Sequence, residues 1–147
     1  MKLSLIAAVA AVAALCATSV VAQQDPIATR KATMKQVGGA TRDGAQMVKG
    51  EAAFDLAKAK NVFAVYQTAA AKMPELFPAN SKTGGETTAA PKIWEDMAGF
   101  KSRFDKFAAE AKAAEASVKD LDSFKAAFGN VTKNCGGCHE TYRVKKS

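Results

Sequence analysis

Cysteines at 135 and 138 with a histidine directly after them, in the run Cys135-Gly136-Gly137-Cys138-His139, restrict this chain more than any other stretch of it. Thiols at that spacing add across the two vinyl groups of a haem, and the adjacent imidazole then reaches the iron. C-x-x-C-H is the attachment pattern of c-type haem, and a chain that carries it has to fold around a large, flat, apolar group. His139 is the only histidine present, so two histidines of one chain cannot share the iron. The sixth position goes to another residue type or stays open. Other uses of the motif fit less well. A thioredoxin-like redox pair wants a strand before it, and no strand pattern precedes Cys135. A zinc site wants four ligands, and beyond residue 22 the chain offers two cysteines and one histidine. A Cys135–Cys138 disulfide, conceivable in an oxidising compartment, leaves the histidine unexplained.

Residues 1–22 read as a cleaved Sec signal peptide. Lys2 supplies the positive start, Leu3 to Cys16 the apolar segment, and Val20-Val21-Ala22 the small-residue cleavage site. The apolar stretch is too short for a stable membrane anchor, and Leu15 is too bulky to precede a lipid-modified Cys16. The expectation is one domain, residues 23–147, exported to the periplasm, where bacteria attach haem. Net charge is +7, or +6 without Lys2. The cations are scattered apart from Arg143, Lys145 and Lys146, with no basic stripe interleaved with aromatics, so nucleic acid is a poor candidate partner. The surplus is either a solvated surface or a field that steers an acidic redox partner.

Four helices are expected, at about 26–49, 52–73 and 91–118 and from about 120 onward, with a loop over 74–90. The four prolines stand only at element ends, and Pro91 suits a first helical turn. Ile93, Met97, Phe100, Phe104, Phe107, Ala111, Ala114 and Val118 recur at spacings of four and three. So do Leu121, Phe124, Phe128, Val131, Cys135, Cys138 and Tyr142. Such stripes are the seams of helices packed at shallow angles. The first helix offers Ile27, Arg30, Met34, Val37 and Thr41, and the second Phe54, Val62, Val65, Tyr66, Ala69 and Met73. Short links make neighbours antiparallel, so the predicted fold is all-α: an up-down-up-down four-helix bundle with covalently bound haem in its interior near one end. Gly136 and Gly137 each cost about 1 kcal/mol in a helix relative to Ala. Either a macrocycle lies against their backbone or they are chance small residues.

His139 is then the proximal ligand, about 9 Å from the end of the last helix. Met34, about 12 Å into an antiparallel first helix, shares its level. Met47 lies at the opposite end, Met73 at the fraying end of its helix, and Met97 in a stripe of phenylalanines, where methionine is ordinary filler. Met34 leads; Met97 and the absence of any protein ligand stay open. Arg30, one turn before Met34, either pairs with a haem propionate or snorkels to solvent.

From residue 23 onward the chain resembles the class II cytochromes c, the cytochrome c′ family. The likeness rests on the C-terminal C-x-x-C-H with Glu140-Thr141-Tyr142-Arg143 after it, on Pro91-Lys92-Ile93-Trp94, and on Arg30-Lys31-Ala32-Thr33-Met34-Lys35. It implies one covalent haem c per chain. High-spin members leave iron five-coordinate behind an apolar distal side chain and bind NO or CO; the low-spin cytochrome c-556 branch places a methionine there. Met34 stands at that position, so the resemblance implies the low-spin branch, with His139/Met34 axial ligation. It also puts Arg30 near the propionates and Arg143 beside the proximal face. The expected function is a single-electron carrier, not an enzyme, serving a redox partner protein as a monomer or homodimer. The alternative is a high-spin cytochrome c′ that binds NO or CO at an open or displaceable distal site.

Overall fold

The computed structural model describes residues 25–144; the expected signal peptide, its cleavage site, Lys145 and Lys146 lie outside the described residues. Helix α1, Pro26–Lys49, starts where the Asp25 carboxylate accepts the Ile27 N–H at 2.9 Å. It ends at Gly50, whose φ of 76° closes the last turn by sending its N–H back to Met47. Its buried stripe runs through Thr33, Val37, Ala40, Gly44 and Met47. Met34 and Thr41 therefore sit on a flank rather than on the seam. The reason is that α1 packs one side on its neighbour and turns the other to a cavity.

Helix α2, Leu56–Lys72, begins later than expected because the Asp55 side chain caps it through the Lys58 N–H. Phe54 is left outside the helix, its ring tilted on Phe124 at 6.1 Å. The stretch after α2 carries two 3₁₀ turns, Met73–Leu76 and Ala79–Ser81. The expected third helix is two: α3, Lys92–Glu95, and α4, Met97–Ser117, parted at Asp96 with φ −136° and ψ 58°. The Asp96 carboxylate caps the Gly99 N–H and accepts the Tyr142 hydroxyl at 3.0 Å. A side chain with two such donors holds its backbone out of the helix more firmly than one lost intrahelical bond holds it in. Helix α5, Leu121–Tyr142, opens with a capping box between Asp120 and Ser123.

The four long helices form the predicted up-down-up-down bundle, α1 beside α2, α2 beside α4, α4 beside α5, and α5 beside α1. Phe63, Tyr66 and Phe124 are fully buried at its centre, with Phe63 edge-on to each of the other two; burying such a ring contributes about 2–3 kcal/mol. Phe63 lies off the stripe read from the sequence. At one end α1 and α5 touch, where Gly44 meets the Phe128 ring. At the other end a cavity opens between them. Among the described residues no helix is long and apolar enough to cross a membrane.

Candidate haem site

The cavity measures about 700 Å³, within the range of small-molecule sites. Its walls are mostly apolar: Val37 from α1, Phe100, Phe104 and Phe107 from α4, with Met73 and Phe77 behind. Cys135, Cys138 and His139 open onto it from α5, and Met34 lines it from α1. The helical repeat brings this about, since residues three and four apart share a face.

Both cysteines are free and half-buried. Burial pushes both thiols up, and Arg103 partly offsets this at Cys138. They are neutral thiols, the opposite of the acidified pair that disulfide exchange needs. Burial, and then the charge of Arg143, lowers the proton affinity of His139. A neutral imidazole keeps a lone pair for a metal. Two free thiols and one neutral imidazole on an apolar wall fit a covalently held haem c: Cys135 and Cys138 would hold the macrocycle, and His139 its iron.

The loop before α3 closes one side. Ala90 donates to the Tyr142 carbonyl at 3.0 Å and Val144 to that of Thr88 at 2.9 Å, pinning the end of α5 to the loop. Arg30 pins the same loop to α1. It is buried, lies 4.4 Å over the Phe77 ring, and donates to the Leu76 and Ser81 carbonyls and the Ser81 and Thr87 hydroxyls. All four terminal N–H groups are thereby engaged, leaving Nε–H for any other acceptor. Arg143, on the other side, has its Nε 3.4 Å from the Thr88 hydroxyl.

The cavity also holds Arg103, which the sequence reading missed, and two residues, Met73 and Thr41, that it had placed only on helix stripes or set aside. Arg103 lines it from α4; its signal was a charge three residues after Phe100 and four before Phe107, beside an aromatic stripe. Met73, set aside as fraying, is buried in the wall. Thr41 lines the cavity and its hydroxyl lies 2.8 Å from that of the buried Tyr66. Gly38 faces the cavity, whereas Gly136 and Gly137 do not line it. The expectation of a macrocycle against that pair of glycines is not met, because the middle of C-x-x-C points away from the face that carries the thiols. Met97 does not line the cavity either.

Residues 25–143 match the family described as Cytochrome C'. A cytochrome c' of Rhodopseudomonas palustris is 50% identical over 142 residues, 97% of each chain. A cytochrome c-556 of Agrobacterium fabrum is 37% identical over 147 residues, 99% of each. The solved cytochrome c' of Rhodopseudomonas palustris superposes with a TM-score of 0.82 at 52% identity, covering 85% of this chain and 100% of that one. A nitric oxide complex of a mutant cytochrome c prime from Alcaligenes xylosoxidans superposes with a TM-score of 0.71 at 30% identity, covering 82% and 94%.

These similarities correct the low-spin expectation. The chain is nearer in sequence to a cytochrome c' than to the cytochrome c-556 it was expected to follow, so the low-spin carrier with His139/Met34 ligation is set aside. That reading had rested on one side chain. Methionine is flexible and apolar, and it furnishes a non-ligating cavity wall as readily as it furnishes a ligand. Members of the matching family are haem c proteins of the bacterial periplasm and carry electrons or gases without catalysing a reaction. A bundle of four long helices closed by a C-terminal C-x-x-C-H, matched from residue 25 to residue 143, thus places this chain in the cytochrome c′ family.

Proposed function

We propose that this chain is a periplasmic high-spin cytochrome c′. One haem c is attached through Cys135 and Cys138, His139 takes the proximal position, and the distal side stays open or displaceable to NO or CO. The observation that carries this is the shared cavity: both thiols and the imidazole face it from α5, opposite Met34 and Val37 of α1. The 50% identity to a cytochrome c' and the nitric oxide complex of a more distant relative support the gas-binding side of the reading.

When bound, the haem supplies an iron that exchanges one electron and coordinates a small diatomic ligand. The chain's own residues do the rest. Cys135 and Cys138 fix the macrocycle by covalent bonds. Burial, and then the Arg143 charge, lowers the proton affinity of His139 and so favours the neutral imidazole that a metal needs. Val37, Phe104 and Phe107 exclude water, which favours a neutral gas over a charged ligand. Lys31, Lys35, Arg103 and Arg143 line the cavity together with Glu86, which pairs with Lys31. That positive surplus suits two haem propionates. Arg30 contributes charge there, and its remaining Nε–H, while the rest of its guanidinium holds the loop.

Optical spectra of the purified ferric and ferrous protein, with and without CO or NO, test the reading. High-spin spectra that change on adding either gas to the ferrous form are expected. A sharp low-spin ferrous α band indifferent to both gases would overturn it.

A further inference from the structure

Arg103 is a cavity cation whose charge no group among the described residues takes up. Among the described residues it forms no ion pair and donates no hydrogen bond, because the carboxylates around it are engaged. Asp96 holds the Gly99 N–H and the Tyr142 hydroxyl. Glu110 holds Lys106 and the Asn134 amide. Of the other cavity cations, Arg30 is bonded four times, Lys31 faces Glu86 at 3.6 Å and Arg143 faces Thr88; Lys35 is unpaired among the described residues as well, but it stands on α1, across the cavity from the cysteines.

Position makes the free charge matter. Arg103 lines the haem cavity and also the outer groove between α4 and α5, so it stands in the wall between them. Its Nη1 lies 3.8 Å from where a Cβ on Gly137 would be. The guanidinium thus lies over the turn joining the two cysteines, and its charge reaches Cys138 and Tyr142 on the cavity side.

We propose that Arg103 sets the redox balance of the haem, holding it toward the ferrous form that takes up CO. The inference rests on the haem reading above. Reduction brings in one electron from a one-electron donor and removes one unit of positive charge from the iron–porphyrin core. A cation beside that core disfavours the more positive oxidised form. Arg103 is exposed, so solvent screens part of its field and the effect is a severalfold one.

The test is a mediated potentiometric titration, with dithionite as donor, of the haem-loaded wild type, Arg103→Gln, Arg103→Lys and Lys133→Gln. Lys133 lines the outer groove and not the cavity. Arg103→Gln should lower the midpoint potential, with the ferrous-to-ferric ratio at a fixed ambient potential falling about three- to tenfold. Arg103→Lys should stay near wild type, and Lys133→Gln should match it. An unchanged potential in loaded Arg103→Gln overturns the inference and leaves the haem reading intact. So does an equal shift in Lys133→Gln, which would mark a general surface-charge effect. Failure of Arg103→Gln to take up haem, where Arg103→Lys takes it up, overturns it too, since that would mark a structural role. A wild-type chain without covalent haem, read from its mass, overturns both.

Discussion

A Cβ placed on Gly44 would stand 2.6 Å from Cε2 of Phe128. This contact is where α1 and α5 meet, and the cavity opens between the same two helices toward their other ends. The ring cannot retreat, because it packs at 5.4 Å on the buried Phe124. Gly44→Ala gains about 1 kcal/mol of helix propensity but overpacks the contact at a cost of about 1–3 kcal/mol. The expected result is a lower melting temperature. Gly39→Ala has nothing within 4 Å of its new methyl group and should raise the melting temperature through propensity alone. Thermal melts of the two variants side by side check the argument, and a gain for both would refute it.

Arg30 makes the second prediction. Arg30→Met keeps an apolar stem but leaves the Leu76 and Ser81 carbonyls without the guanidinium. Hydrogen bonds from a charged donor contribute about 1.5–3 kcal/mol each, and partial compensation by water brings the expected loss to about 2–4 kcal/mol. Because those bonds tie the loop to α1, proteolysis should begin within residues 77–90. Cleavage at wild-type rate would show that the loop is held by its other contacts, such as those of Thr88 and Ala90 with the end of α5.

Arg30 and Arg103 mark the limit of what the sequence made legible. Periodicity placed the four long helices, because residues three and four apart on one face need no knowledge of the partner. It put the two thiols and His139 on one face for the same reason. The break at Asp96 was hidden, since its second donor is Tyr142, 46 residues away. Arg30 read as a propionate ligand or a snorkelling chain, because its acceptors belong to a loop with no periodicity. Arg103 was hidden because it stands one residue before Phe104, off the aromatic stripe, where the helical period alone predicts a solvated cation. Met34 misled in another way. Spacing puts a thioether at the right level, but whether it bonds a metal depends on tenths of an ångström in a flexible chain.

Tyr66 should make the protein alkali-sensitive. Burial pushes its hydroxyl up to about 12, with the bond to Thr41 acting the other way and Cys135 adding a smaller rise. Unfolded tyrosine titrates near 10. Between pH 10 and 12 the folded chain therefore keeps a proton that the unfolded chain has lost. The stabilisation is fully present below pH 10 and is lost as pH rises toward 12, by about 2–3 kcal/mol. Denaturant titrations from pH 9.5 to 11.5 should show that decline, shallower in Tyr66→Phe. Lysines add a background common to both proteins, so equal slopes would mean the buried phenol is not the cause.

On the high-spin reading proposed above, Met34 is an apolar wall of the cavity and not a ligand. It lines the cavity, half-buried, on the flank of α1. If its part is that of an apolar wall, leucine serves as well: the two side chains are close in volume, and such an exchange costs less than about 1.5 kcal/mol. Met34→Leu should then leave the ferric and ferrous spectra in their wild-type high-spin form and preserve CO uptake by the ferrous protein. Substitution by a bulkier side chain, Met34→Phe, should slow CO uptake without altering the spectrum before the gas is added. Disappearance of a methionine-to-iron charge-transfer band in Met34→Leu would show instead that the thioether is bound in the wild type, and the open distal site would have to be abandoned.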